Sequence, residues 1–193
     1  MNKLIFATHN PNKLKEVREL LSDSFEILGL NDIGFNENII EDKATIIENS
    51  IKKAEFVKIK TGYDCFADDT GLEVDALNGQ PGVFSKRFAG PNSSSDDNIY
   101  KLLEMLGNNP NRAACFKTVI SLSKNGQIIT FEGVCEGNIA LERMGNLGFG
   151  YDPVFIPKNR NISFGQMSLM EKNLIAHRAK AINKLVDYLT NLY

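Results

Sequence analysis

No stretch of this 193-residue chain stays apolar for long enough to span a bilayer, and no run of one charge is long enough to make a nucleic-acid-binding face. With 22 basic residues set against 24 acidic ones and a formal charge of −2, neither a membrane nor a nucleic acid is an expected partner. Cysteine is scarce. Cys65, Cys115 and Cys135 are odd in number, sit in apolar, strand-like surroundings and lack the close pairing of a zinc site, so buried free thiols in a reducing cytosol are expected. Met1-Asn2-Lys3 runs directly into a short strand without the apolar run of a signal peptide, which adds to the cytoplasmic expectation. Internal repeats, low-complexity tracts and clean linkers are missing too, so one enzyme-sized unit is the starting expectation. What is present is ordinary for a folded protein: 42% hydrophobic and 24% charged residues, which excludes a disordered class.

The residue pattern alternates strands and helices. Residues 3–8 read as a buried strand, Asn10-Pro11 as the start of a helix to about Leu21, and residues 25–30 as a second strand. A polar loop follows with Glu37, Glu41 and Asp42. Thr45 and Glu48 then form a capping box ahead of a helix that Gly62 ends. Residues 63–67 read as a strand stopped by Asp68-Asp69-Thr70-Gly71, where carboxylates and a glycine break the apolar pattern. A loop over 78–95 and a helix over 96–106 come next. Residues 113–123 and 127–136 form a hairpin through Asn125-Gly126, which makes the sheet mixed. A glycine-rich segment at 145–150 leads to a short strand at 154–156. One amphipathic helix, opened by the capping box of Ser168 and Glu171, is expected to continue to Leu192.

Five segments carry chemistry. Thr8-His9-Asn10-Pro11-Asn12-Lys13 stands where a strand hands over to a helix, whose unpaired N–H groups and positive dipole end suit a phosphate, with Lys13 adding charge; a capped helix with a solvated lysine is the plain alternative. Asp68 and Asp69 leave a buried strand side by side and repel one another, so holding both ionised calls for a cation or strong donors. Magnesium takes one or two carboxylates together with substrate phosphates, a remaining carboxylate can deprotonate the attacking water, and Glu41 is placed to complete the set. Asn49 and Lys53 lie one turn apart on one helix stripe, where the lysine reaches toward a phosphate or merely joins a solvated face. In Gly148-Phe149-Gly150-Tyr151-Asp152-Pro153 the glycines let backbone approach a flat ligand, Phe149 offers a stacking face and Asp152 a polar edge; a tight turn with core aromatics is the alternative. Arg178 interrupts the apolar series Ile175, Ile182, Leu185, Leu189 and needs either a protein carboxylate or a bound anion; with His177 beside it and Lys172 earlier, the anion is favoured. Lys13, Lys53, Lys172 and Arg178 with Glu41, Asp68 and Asp69 make the charge set a triphosphate requires.

Together these segments resemble the inosine triphosphate pyrophosphatase family, also called the Ham1 or non-canonical purine nucleotide pyrophosphatases. The carriers are Ala7-Thr8-His9-Asn10 with Lys13, Glu48-Asn49 with Lys53-Ala54, Ala67-Asp68-Asp69-Thr70-Gly71-Leu72, Pro81-Gly82-Val83 with Arg87-Phe88-Ala89-Gly90, Gly148 to Pro153, and Glu171-Lys172-Asn173 with His177-Arg178. The resemblance implies an α/β fold with a long mixed β-sheet flanked by helices, a single domain in two lobes with a central cleft, and a homodimer. It implies Mg2+-dependent cleavage of ITP, dITP and XTP to monophosphate and pyrophosphate. By this likeness Thr8, Asn10 and Lys13 hold phosphates, His9, Lys53 and Thr70 also bind substrate, Asp69 accepts the proton and ligates the metal, and Glu41 and Asp68 assist the metal. Phe149 stacks on the base, Gly150 and Tyr151 beside it bind substrate, and Asp152, Lys172, His177 and Arg178 complete the nucleoside pocket, refusing a 6-amino purine with donors set for a 6-keto oxygen.

Three departures stand out: Thr70 where serine is common, Lys43 where glycine often follows the acidic residue, and Gly165-Gln166 for Ala-Glu. A Maf-like pyrophosphatase of similar chemistry is the nearest rival, but its Ser-Pro-Arg-Arg start is missing. A non-catalytic nucleotide sensor and a single-strand nucleic-acid binder are the rivals from other classes, the second disfavoured by the charge balance.

Overall fold

The computed structural model describes residues 2–21 and 25–191. Among them, β1 (Asn2–Phe6), β2 (Phe25–Gly29), β3 (Cys65–Val74), β4 (Pro81–Gly82), β5 (Ala113–Lys124), β6 (Gln127–Ile139) and β7 (Phe155–Pro157) form a mixed sheet in the order β2-β1-β3-β5-β6-β7, with β4 on β3. The helices are α1 (Pro11–Leu21), α2 (Ile46–Thr61), α3 (Ser95–Leu106), α4 (Leu169–Asn173) and α5 (His177–Thr190). None of them is long and apolar enough to cross a membrane. The expected mixed α/β class is what is found, and local chemistry explains its boundaries. Thr45 and Glu48 close the capping box of α2, Gly62 ends it with φ 75°, and Asn125 and Gly126 take φ 51° and 76° in the tight turn between β5 and β6.

The chain divides into two compact units. One takes the described residues up to Asp69, Thr118–Gly133 and those from Arg178 onward; the other takes Thr70–Lys117 and Val134–His177. In the first unit β1 pairs in parallel with both β2 and β3, with Phe6 opposite Gly29 and opposite Phe66. Alternation along these strands sorts their side chains into two cores. Leu4, Phe6 and Phe66 pack with Val17 and Leu21 of α1 and Ala181, Ile182, Leu185 and Leu189 of α5. Ile5, Ala7, Cys65 and Ala67 pack with Ala54 and Val57 of α2. The second unit has its own core, in which Leu72, Val74, Leu102, Phe116, Phe155 and Phe164 are central.

Two boundaries differ from expectation for physical reasons. β3 does not stop at Ala67 but runs through Asp68-Asp69-Thr70-Gly71 to Val74. Adjacent aspartates disfavour a strand, yet each carboxylate here has a buried cation partner, and those ion pairs override the local preference. The single C-terminal helix is two. α4 keeps the expected Ser168–Glu171 capping box, but Ile175 and Ala176 pack in the core of the second unit while Ile182, Leu185 and Leu189 pack in that of the first. Between α4 and α5 residues 174–176 leave the helical conformation. The expected end of the C-terminal helix, Leu192, lies outside the described residues. The three cysteines are free thiols, with Cys65 and Cys135 buried and Cys115 half-buried. Burial pushes the Cys65 thiol up to about 12.

Candidate active site

The period of two along β3 governs the chemistry of the first unit. Asp68 continues the face of Phe66, toward α1 and α5, and Asp69 continues the face of Cys65 and Ala67, toward α2. The two acids therefore occupy different surroundings although they are neighbours in sequence.

Asp68 is 2% exposed. Lys13 Nζ of α1 donates to its Oδ1 at 2.9 Å, and Arg178 Nε of α5 donates to its Oδ2 at 3.0 Å. Arg178 Nη1 also donates to Glu16, so one guanidinium joins two buried carboxylates. Burial alone would raise the Asp68 carboxyl, but the charges of Lys13, Arg178 and Lys53 with the Lys13 hydrogen bond outweigh it and hold Asp68 well below the usual carboxylate range. Burial pulls Lys13 below its ordinary value, Asp68 opposes this, and the nearby charges of Lys53 and Arg178 add to the fall.

Asp69 has the opposite character. Lys53 Nζ of α2 donates to Asp69 Oδ1 at 3.2 Å and to Glu41 Oε1 of the acidic loop at 2.5 Å. Burial pushes the Asp69 carboxyl above its ordinary value; Lys53 and Lys13 oppose the rise, and the negative charges of Glu41 and Asp68 reinforce it. On Lys53 burial is the largest influence and acts downward, but Asp69, Glu41 and Asp68 outweigh it and leave the lysine raised and cationic. The two neighbours therefore differ: the cations around Asp68 hold its carboxyl low, and burial pushes that of Asp69 up.

Strand alternation turns Asp68 to the opposite face from Asp69, and Lys13 and Arg178 engage its two oxygens. Among the described residues no group of three His, Cys, Asp or Glu side chains is set to hold a metal. Glu41 and Asp69 do converge on a common cation, the Lys53 ammonium, and two hard carboxylates beside substrate phosphates are a donor set that fits Mg2+. Within the protein Arg178 pairs with Glu16 and Asp68. Glu16, 5% exposed, escaped the sequence reading. Its signal was its place one turn after Lys13 on the stripe of α1 that carries Val17.

The helix start at Asn10 takes the capped form. Asn10 Oδ1 accepts from Asn12 N at 2.9 Å and Lys13 N at 3.3 Å, so the N–H groups expected to hold a phosphate already have a partner. Asn10 N donates to Thr8 Oγ1 at 3.1 Å. His9 faces the acidic loop, with Nδ1 3.2 Å from Asn31 Oδ1 and Nε2 3.0 Å from the Glu37 carbonyl oxygen. Thr70 follows Asp69 on β3 and is half-buried.

The second unit holds another cluster. Lys172 Nζ of α4 donates to Asp152 Oδ2 at 2.7 Å and stands 4.9 Å from the Phe149 ring centroid, while Phe149 N donates to the same Asp152 oxygen at 2.8 Å. Asp152 and Lys172 are buried. Gly148 makes this possible: it has φ 74°, and a Cβ there would collide with the Asp152 carboxylate. Gly150 has φ 59°, and the Tyr151 hydroxyl donates to the Ser85 carbonyl oxygen at 2.9 Å. His177 stacks on Phe116 with centroids 4.7 Å apart. Lys172 thus has its carboxylate partner in Asp152. The Gly165-Gln166 departure also has a local account. Gln166 Oε1 accepts from Ser163 N at 3.1 Å as a glutamate would, and a Cβ at Gly165 would lie 2.7 Å from Pro153 Cα.

Fold and site define a class: an α/β protein in which parallel strands and their helices gather lysines, an arginine and unlike carboxylates in a set suited to phosphate chemistry. The chain belongs to the Ham1 family, whose model matches residues 4–188. It is 51% identical over 188 residues to a dITP/XTP pyrophosphatase of Flavobacterium johnsoniae, covering 97% of this chain and 98% of that one. It is 52% identical over 190 residues to a dITP/XTP pyrophosphatase of Porphyromonas gingivalis, covering 98% of each. Its fold matches the solved structure of a HAM1 protein from Coxiella burnetii with a TM-score of 0.90 at 38% identity, over 99% of this chain and 100% of that one.

Proposed function

We propose that this chain hydrolyses the deaminated purine nucleotides dITP, ITP and XTP to the monophosphate and pyrophosphate, acting as one catalytic domain that clears them from the nucleotide pool. Relatives about half identical over nearly the whole chain and named dITP/XTP pyrophosphatases support the activity. The observation that supports the mechanism is the asymmetry of Asp68 and Asp69: Asp68 is engaged through both oxygens by Lys13 and Arg178 and held low, whereas Asp69 shares the Lys53 ammonium with Glu41 and is pushed above its ordinary value by burial.

In the reaction, water donates its oxygen to the α-phosphorus, Asp69 takes the proton, and pyrophosphate leaves with the electron pair of the broken α–β anhydride bond. Lys13 and Lys53 neutralise phosphate charge at fixed positions, which is most of what phosphoryl transfer asks of a protein. Thr8, Asn10 and Thr70 add hydroxyl and amide donors, and His9 acts by holding the acidic loop at Glu37. Glu41 and Asp69 would hold Mg2+, which when bound spreads and neutralises the charge of the phosphate oxygens. Arg178 keeps Asp68, and through it Lys13, in place.

Base selection falls to Phe149 as the stacking face, with Gly150 and Tyr151 shaping the turn, and to Asp152, Lys172 and His177. An ammonium has donors and no acceptor, so Lys172 accommodates a 6-keto oxygen and rejects a 6-amino group. The same family likeness supports a cytoplasmic homodimer.

The test is a panel of canonical and deaminated triphosphates with magnesium, scoring pyrophosphate against orthophosphate. Pyrophosphate should appear first, and fastest from dITP, ITP and XTP. Asp69→Asn should cut turnover by about 10²–10⁴-fold, the range for loss of a general base, while nucleotide binding persists. Orthophosphate as first product, or undiminished turnover in the variant, refutes the assignment.

A further inference from the structure

The acidic loop has no ladder of its own between Gly34 and Thr45, yet it is fastened along α2 in antiparallel order. Lys60 meets Glu37 at 2.8 Å, Lys53 meets Glu41 at 2.5 Å and Lys52 meets Asp42 at 2.6 Å. The innermost fastening is not ionic. Asn49, 1% exposed, accepts from Lys43 N at 2.9 Å and donates through Nδ2 to the Lys43 carbonyl oxygen at 3.3 Å. A side-chain amide that satisfies both main-chain groups of one residue copies the paired bonds of a β-ladder and fixes the orientation of that peptide. Exposed lysine–carboxylate pairs are weak and adjustable, whereas a buried amide with both ends satisfied is rigid. Asn49 stands one turn before Lys53 on α2, and Lys43 two residues after Glu41, so the amide clamp and the ammonium grip the same short segment.

We infer that Asn49 is a positioning residue for the reaction: by clamping the Lys43 peptide it sets the Glu41 carboxylate beside Asp69, where the two receive a divalent cation. This rests on the reading of Glu41 and Asp69 given above. It also gives a reason for tolerance of lysine at position 43, since the clamp reads only main-chain atoms there. Asn49 touches neither substrate nor metal and acts through Glu41.

The experiment is a double-mutant cycle read by Mn2+ binding to the nucleotide-free protein, using calorimetry and the Mn2+ paramagnetic signal, with amide exchange at Lys43 as a second readout. Asn49→Ala should weaken Mn2+ binding by about tenfold or more, the usual loss when a group that orients a metal ligand is removed, and should expose the Lys43 amide to exchange. In a Glu41→Gln background the same substitution should weaken binding no further, because its effect passes through the missing carboxylate. Lys43→Pro, which removes the N–H from the loop side, should reproduce the loss if Asn49→Ala fails to fold, and Lys43→Ala should bind as the parent does. A folded Asn49→Ala or Lys43→Pro protein with parental Mn2+ affinity, or an equal loss in the Glu41→Gln background, overturns the inference. Parental Mn2+ affinity in Glu41→Gln alone would instead remove the metal role of Glu41, and the inference with it.

Discussion

Replacing Arg178 with alanine takes one shared cation from two buried carboxylates at once. The guanidinium is 2% exposed, donates to Glu16 and to Asp68, and lies on the buried side of α5 with Ile182 and Leu185. Lys13 still answers Asp68 in the variant, so the loss falls mainly on Glu16. Removing one partner of a buried pair costs about 3–5 kcal/mol, because the remaining charge stays out of water without compensation. For a chain of this length each kcal/mol moves the midpoint by about 2–4 °C, so melting without nucleotide should fall by roughly 6–20 °C. Arg178→Lys should recover part of the loss, since an ammonium keeps the charge but not the fork that reaches both acids. The effect has a pH signature. The Asp68 carboxyl is depressed in the folded protein, so its contribution is complete above the ordinary aspartate range and is lost as pH falls through the folded value. The gap between parent and variant should therefore be widest near neutrality and close in acid. Calorimetric melts of the nucleotide-free proteins across pH measure this. A variant that melts within about 2 °C of the parent but loses affinity for dITP would show that the arginine serves an anion instead.

Asp69 has a raised carboxyl, so kcat/KM should climb as pH rises through a value above the ordinary aspartate range, and a pH–rate profile reads this directly. The same elevation works against stability at neutral pH: the folded state resists an ionisation the unfolded chain accepts, so Asp69→Asn should melt at or above the parent temperature while losing turnover. Gly148→Ala places a methyl group against the Asp152 carboxylate at φ 74°. The backbone alone costs about 1–2 kcal/mol, and KM for dITP should rise by about tenfold with kcat less affected.

The C-terminal stripe shows how far a one-dimensional pattern reaches. The spacing of Arg178 with Ile182, Leu185 and Leu189 marked the guanidinium as buried and in need of a partner, and it is. Which partner was not legible, because Glu16 is 162 residues away and joins Arg178 only when α1 and α5 pack on one face of the sheet. Lys53 and Asp69 were each suspect, but that Glu41 shares the ammonium depends on the loop being laid along α2, a matter of tertiary packing.

Periodicity, capping boxes and the Asn-Gly turn are interactions among residues close in the chain, so the amino-acid order alone determined α1 to α3, the hairpin of β5 and β6 and the mixed α/β class. The motifs likewise marked Lys13, Lys53, Asp68, Asp69 and Arg178, which form buried ion pairs. Only the tertiary structure decided that β3 continues through its two aspartates, that alternation sends Asp68 to one face and Asp69 to the other, and which cation each receives. Desolvation and long-range ion pairing, not local preference, set the proton affinities of those acids, and both exist only once the sheet is covered by its helices.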